Sequence, residues 1–144
     1  ADPPRLILLP GMACDAALWR HQLPALQSAA PGPVLVADAH ARADSLPAMA
    51  ALLLAEQPGD LLLAGCSLGG MLALEVARQA PQRLRGLALL GTTARADTPE
   101  LVALRTAGID ACLDEGVRVA AKKSLDRMLE MAGKTVGKGD LGRA

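Results

Sequence analysis

Asp60-Leu-Leu-Leu-Ala-Gly-Cys-Ser-Leu-Gly-Gly-Met-Leu-Ala-Leu-Glu75 decides the fold of this chain. An apolar run stops at Gly65-Cys-Ser-Leu-Gly69, and a helical pattern begins at once. This is G-x-S-x-G in the context that gives the pattern meaning: buried-type strand, sharp turn, helix. A serine on such a turn lifts its hydroxyl clear of the sheet edge, where the N-terminus of the next helix also points. Gly65 and Gly69 read as required, because β-carbons there meet the neighbouring strand and helix. Gly70 extends the small surface, so that the helix can lie close to the sheet. Ser67 is therefore a candidate nucleophile. The plainer alternative is a glycine-rich turn with a bystander serine. A phosphate cradle does not fit, since both G-x-G-x-x-G and G-x-x-x-x-G-K-[ST] fail here.

The flanking chain repeats the strand–helix alternation. Arg5-Leu-Ile-Leu-Leu9 is a short apolar run closed by Pro10-Gly11, the pattern of a strand buried on both faces. Asp15 is placed to cap a helix from Ala16 to about Ser28, and Pro31-Gly-Pro33 stops it. Val34-Leu-Val-Ala37 is the second strand, and Ser45 or Asp44 caps a helix from Leu46 to about Gln57. Leu61–Gly65 is the third strand, its helix runs to about Gln79, and Arg83–Leu90 is the fourth strand. The fold class is α/β: right-handed crossovers, a parallel sheet and helices on both faces. Thr98-Pro-Glu100 then opens a purely helical stretch, interrupted near Gly108 and Gly116. Gly133 to Ala144, with four glycines, reads as loop or tail. The organisation expected is a core over residues 1–97, a helical segment over 98–132 and a tail over 133–144. Lysine use supports a break, since Lys122, Lys123, Lys134 and Lys138 all fall late in the chain and arginine serves alone before them.

Composition removes several function classes. The 144 residues carry 15 basic and 15 acidic side chains, so charge does not select nucleic acid or an anionic membrane. One Trp with no Phe or Tyr leaves little for base stacking. Cys14, Cys66 and Cys112 suit neither a disulfide framework nor a metal site, and the reading is reduced thiols in a cytoplasmic protein. No cofactor or metal is expected. Gly133-Lys-Thr135 has Met128 where a P-loop needs its first glycine, and follows no strand, so nucleotide binding is set aside.

From about Arg5 to Pro99 the chain resembles the α/β-hydrolase superfamily, in its N-terminal half. Beyond the elbow, the resemblance rests on Leu8-Leu-Pro-Gly-Met12, where that family has its oxyanion loop, with proline replacing the usual histidine. It also rests on Ala17-Leu-Trp-Arg-His-Gln22 and on Gly69 through Leu90, and residues 98 onward look like the start of a helical cap. The resemblance implies that Ser67 is the nucleophile, and that the backbone N–H groups of Leu68 and Met12 form the oxyanion hole beside Gly11. Such donors are worth roughly 3–4 kcal/mol each. Cys66 would be filler beneath the turn. The implied activity is an esterase-type serine hydrolase acting on a small carboxylic ester or related acyl substrate.

The family's triad runs serine, acid, histidine along the chain, and no histidine follows Ser67. His21 lies in the first helix. His40 leaves the second strand on the catalytic side, but two strands from the elbow, roughly 10 Å away, on a loop resembling one whose histidine is not the base. Asp97 occupies a position where a minority of the superfamily carries its acid, and could equally cap Thr98-Pro99. The chain thus looks truncated, and by itself inactive. Its fourth strand should be an exposed apolar edge suited to a second copy or a complementing C-terminal half. The competing reading is a non-catalytic α/β module that keeps the fold without the chemistry.

Overall fold

All four apolar runs pair as strands. The computed structural model describes residues 1–136, with β1 at Arg5–Leu9, β2 at Val34–Val36, β3 at Leu61–Cys66 and β4 at Leu84–Leu90. They form one parallel sheet in the order β2-β1-β3-β4. The helices between them are α1 (Leu23–Ala29), α2 (Leu46–Glu56) and α3 (Leu68–Gln79). From β1 the chain steps one way to β2, then crosses back over β1 to β3. With right-handed crossovers this puts α1 on one face and α2 and α3, which pack on each other, on the opposite face. The reversal lies between β1 and β3. In open α/β sheets the crevice outside the carboxyl ends of such a strand pair is where ligands bind.

The face under α2 and α3 carries the core. Ile7 and Leu9 of β1 and Leu61 and Leu63 of β3 meet Met49, Ala50 and Leu53 of α2 and Leu72, Ala73 and Val76 of α3, all buried. Alternation sends Leu62, Ala64 and Cys66 to the other face, where they are only half-buried. Arg83 ties the end of α2 to the sheet: its guanidinium donates to the carbonyls of Leu54 (3.0 Å), Gly59 (2.8 Å) and Gln57. Among the described residues β4 pairs only with β3, and Leu87, Leu89 and Leu90 remain 42–46% exposed. Those side chains point to both faces of the strand, so apolar surface is open on each side as well as along the edge.

Three local expectations are corrected. The helix expected from Ala16 is a capped 3₁₀ turn, Ala16–Trp19, followed by the separate α1. Asp15 caps that turn, accepting from the Ala17 N–H at 2.8 Å. Pro24 explains the split, because its ring and missing N–H cannot continue a helix begun at residue 16. No interruption occurs at Gly108, which lies inside α4 (Pro99–Glu115) at a cost of about 1 kcal/mol. The break comes at Gly116, whose φ of 86° lets the chain turn into α5 (Val117–Val136). Residues 133–136 thus belong to a helix rather than a loop, and the remainder of the expected tail, 137–144, lies outside the described residues.

The chain divides into two units, Ala1–Arg95 and a second beginning at Ala96. In the second, α4 and α5 pack on each other, Thr98 caps α4 through the Leu101 N–H (3.3 Å), and Lys123 pairs with Glu115 at 2.7 Å. An open groove of about 470 Å³ lies on this pair, lined by Ala111, Glu115, Ala120, Lys123, Asp126 and Arg127. Among the described residues no helix is long and apolar enough to cross a membrane.

Candidate active site

The loops leaving the carboxyl ends of β1 and β3 make the site. β3 ends at Cys66 and α3 begins at Leu68, so Ser67 alone makes the turn. Its φ of 54° and ψ of −114° fall where L-residues rarely sit, a conformation costing about 1–3 kcal/mol and kept only by its surroundings. Those surroundings are explicit. The Ser67 N–H donates to the Leu90 carbonyl at 2.9 Å. The Ser67 carbonyl accepts from the Gly70 N–H (3.0 Å), the Met71 N–H (3.2 Å) and the Thr92 hydroxyl (2.7 Å). The side chain is exposed and makes no capping hydrogen bond to α3, which leaves its Oγ open to a reacting group. Leu68, first in α3, has an N–H that no carbonyl of the helix can receive.

Close approach of backbones explains the glycines. A β-carbon on Gly65 would lie 2.3 Å from the Gly69 carbonyl oxygen, and one on Gly69 would lie 2.0 Å from that of Leu9. α3 therefore rests on the ends of β1 and β3 with no room for a methyl group. Gly70 differs from its expected role: the space it leaves is taken by the Thr92 side chain, 2.6 Å from a would-be β-carbon. Gly11 is near the serine without being sterically required. A β-carbon there would make ordinary contacts, 3.6 Å from Ser67 Cβ and 3.6 Å from the Cys66 carbonyl oxygen. That short separation still shows that the Gly11–Met12 backbone runs beside Ser67.

The loop after β1 is a tight turn, closed by the Cys14 N–H on the Gly11 carbonyl at 3.1 Å. Ala13, its third residue, has a φ of 58°, a position that ordinarily favours glycine. The Met12 N–H is not used in closing the turn, and its side chain is 65% exposed. His40 Nε2 lies 2.8 Å from the carbonyl oxygen of Cys14, so it donates to that oxygen. His21 is exposed and hydrogen-bonded to Arg20 (3.1 Å). Asp97, in the second unit, is not the N-cap of α4. Thr98 is the cap, and the Asp97 carboxylate is bound by Arg105 at 2.5 Å (Nε to Oδ2) and 3.3 Å (Nη2 to Oδ1). Among the described residues no group of three or more His, Cys, Asp or Glu is placed to hold a metal ion.

Sequence reasoning missed Thr92, Ala13 and the bond made by His40. A Gly91-Thr-Thr93 turn signal was present for the first. An alanine in left-handed backbone leaves no sequence signal.

Sheet order, strained serine turn and glycine-lined strand–helix contact are those of an α/β-hydrolase core, and solved structures of that fold agree. An esterase from Thermogutta terrifontis superposes with a TM-score of 0.69 at 25% identity, over 88% of this chain and 51% of that one. The chain belongs to the Thioesterase domain family, whose model matches residues 5–131. It is 34% identical over 94 residues to the pimeloyl-[acyl-carrier protein] methyl ester esterase of Aromatoleum aromaticum, covering 62% of this chain and 38% of that protein. It is 32% identical over 97 residues to the biotin biosynthesis bifunctional protein BioHC of Cellvibrio japonicus, covering 64% and 19%. The chain thus spans well under half the length of these curated relatives.

Proposed function

We propose that this chain carries the nucleophile and oxyanion hole of a serine hydrolase that cleaves a small carboxylic ester or related acyl substrate, thioesters included. The observation that carries the reading is Ser67 in its left-handed turn, Oγ uncapped, between the head of α3 and the Gly11–Met12 backbone. In the reaction, Ser67 Oγ attacks the acyl carbonyl while its proton passes to a base. The tetrahedral oxyanion is held by the Leu68 and Met12 N–H groups, and the alcohol or thiol departs with a proton. Water then resolves the acyl-enzyme. The names of the curated relatives and of the matching family support an ester or thioester as substrate.

The reaction also calls for a base and an acid, which the described residues do not place beside Ser67. The two histidines are committed elsewhere, His40 to the Cys14 carbonyl and His21 to Arg20. Asp97 is held by Arg105, which counts against it as the acid. The open edge and both faces of β4 are where further strands and helices would dock, from a complementing segment or a second copy. The three free thiols suit a reducing cytoplasm.

Mixing the chain with p-nitrophenyl acetate tests this. Without the base, acylation is slow and deacylation slower. The expected result is a single release of p-nitrophenolate, at most one per chain, abolished in Ser67→Ala. The non-catalytic reading is favoured by the same commitments of His21 and His40. It predicts no difference between the chain and Ser67→Ala.

A further inference from the structure

The loop expected to supply the Met12 N–H is short, and it holds Ala13 in a left-handed conformation that costs about 1–2 kcal/mol without a glycine. Something must keep it there. Within the turn, the bond from the Cys14 N–H to the Gly11 carbonyl closes one side. On the other side, the Cys14 carbonyl receives His40 Nε2 at 2.8 Å, across 26 residues of sequence.

His40 is itself tied to α2 through its neighbours. It lies in a 3₁₀ turn, Ala39–Ala41, between a buried Ala39 and Arg42. The Arg42 guanidinium binds both carboxylate oxygens of Glu56 on α2, at 2.7 and 2.6 Å, and Asp38 at 2.9 Å. Arg42 holds the Glu56 carboxyl below the usual carboxylate range, and the two acids hold the guanidinium charged. A continuous path therefore runs from α2 through Arg42 and the 3₁₀ turn to His40, and from His40 to the turn beside Ser67.

We propose that His40 is a positioning residue for the oxyanion hole: by donating from Nε2 to the Cys14 carbonyl it fixes the Gly11–Cys14 turn and hence the direction of the Met12 N–H. This rests on the hydrolase reading given above. Its imidazole moves no proton in the reaction. The hydrogen bond sets how well the turn fits the transition state, and a shift of about 1 Å in such a group costs up to roughly 100-fold in rate.

Three variants test it: His40→Leu, His40→Asn, whose amide is too short to reach, and His40→Gln, whose Nε2 can stand where the imidazole nitrogen stood. Two readouts apply, hydrogen–deuterium exchange over the peptide carrying Met12 to Cys14, and the rate of Ser67 acylation by p-nitrophenyl acetate. Leu and Asn should each speed exchange of the turn by at least about fivefold and slow acylation by about tenfold or more. Gln should keep both within about twofold of the parent chain. Unchanged exchange in both Leu and Asn variants overturns the proposal. So does a Gln variant with normal exchange and abolished acylation, which would assign the imidazole to proton transfer. If the parent chain shows no Ser67-dependent acylation, the hydrolase reading fails, while the exchange comparison still decides whether His40 holds the turn.

Discussion

Gly69→Ala, in the first turn of α3, and Gly108→Ala, in the middle of α4, add the same methyl group and should have opposite effects. A β-carbon on Gly69 would lie 2.0 Å from the Leu9 carbonyl oxygen, 2.5 Å from its carbon and 2.7 Å from the Pro10 oxygen. These are backbone atoms of the last residue of β1 and of Pro10 just after it, and no rotamer change relieves the overlap. Restoring contact at about 3 Å or more requires α3 to withdraw by about 1 Å from the sheet, loosening Leu72, Ala73 and Val76 in the core. Overpacking of this kind costs about 3 kcal/mol or more. Helix propensity in this first turn returns at most about 1 kcal/mol, leaving a net loss of at least about 2 kcal/mol. At Gly108 nothing lies within 4 Å of the added carbon, so only the propensity gain of about 1 kcal/mol remains. Trp19, the single tryptophan, is buried in the first unit, so its fluorescence in urea reports that unit, whereas helical circular dichroism sums over all the helices, α4 included. Gly69→Ala should lower the urea midpoint by fluorescence, and Gly108→Ala should leave it in place while raising helical stability. A Gly69→Ala chain as stable as the parent would refute the close packing of α3 on β1.

Thr92→Val keeps the shape beside Gly70 and removes the hydroxyl on the Ser67 carbonyl. That oxygen retains two helical N–H donors, so the stability cost is about 1 kcal/mol. Acylation of Ser67 should slow, with Thr92→Ser restoring it; equal rates in all three chains would remove Thr92 from the elbow's support. The Glu75 carboxyl is pulled down to about 2 by hydrogen bonds from Arg78 and Gln79. A carboxyl favoured as the anion in the folded state contributes fully above its ordinary value near 4.5, and the contribution is lost as pH falls toward 2. Glu75→Gln should therefore flatten the decline of the urea midpoint across that window, and an unchanged decline would contradict the pairing.

Much of this architecture can be read from one-dimensional patterns. Strand runs bounded by Pro-Gly pairs set β1, β3 and the parallel order, because an apolar run between helical stretches has few other places to lie. G-x-S-x-G identified Ser67 because strand, turn and helix follow one another within a few residues. Of its two glycines only Gly65 answers to a local collision, with Gly69, while Gly69 itself meets the distant Leu9 and Pro10. What did not show were features fixed by distant contact. His40 on the Cys14 carbonyl and Thr92 on the Ser67 carbonyl each join residues 25 or 26 apart, and neither follows a local spacing. Pro24 was visible and should have divided the first helix. Gly108 and Gly133 invite a break or a loop by propensity alone, yet a single glycine costs too little to end a helix that its neighbours continue.

The most direct measurement is the rate and position of fluorophosphonate labelling on the intact chain, read by peptide mass and repeated on Ser67→Ala. An oxyanion hole without a base retains a residual part of full reactivity, roughly 10³–10⁴-fold over water in serine proteases stripped of a triad member. The account therefore predicts slow labelling confined to Ser67 and lost in Ser67→Ala. Labelling spread over other serines and threonines with no preference for Ser67, or labelling of Ser67 as fast as in a complete serine hydrolase, would contradict it. The first outcome denies an organised nucleophile, and the second requires a base within these 144 residues.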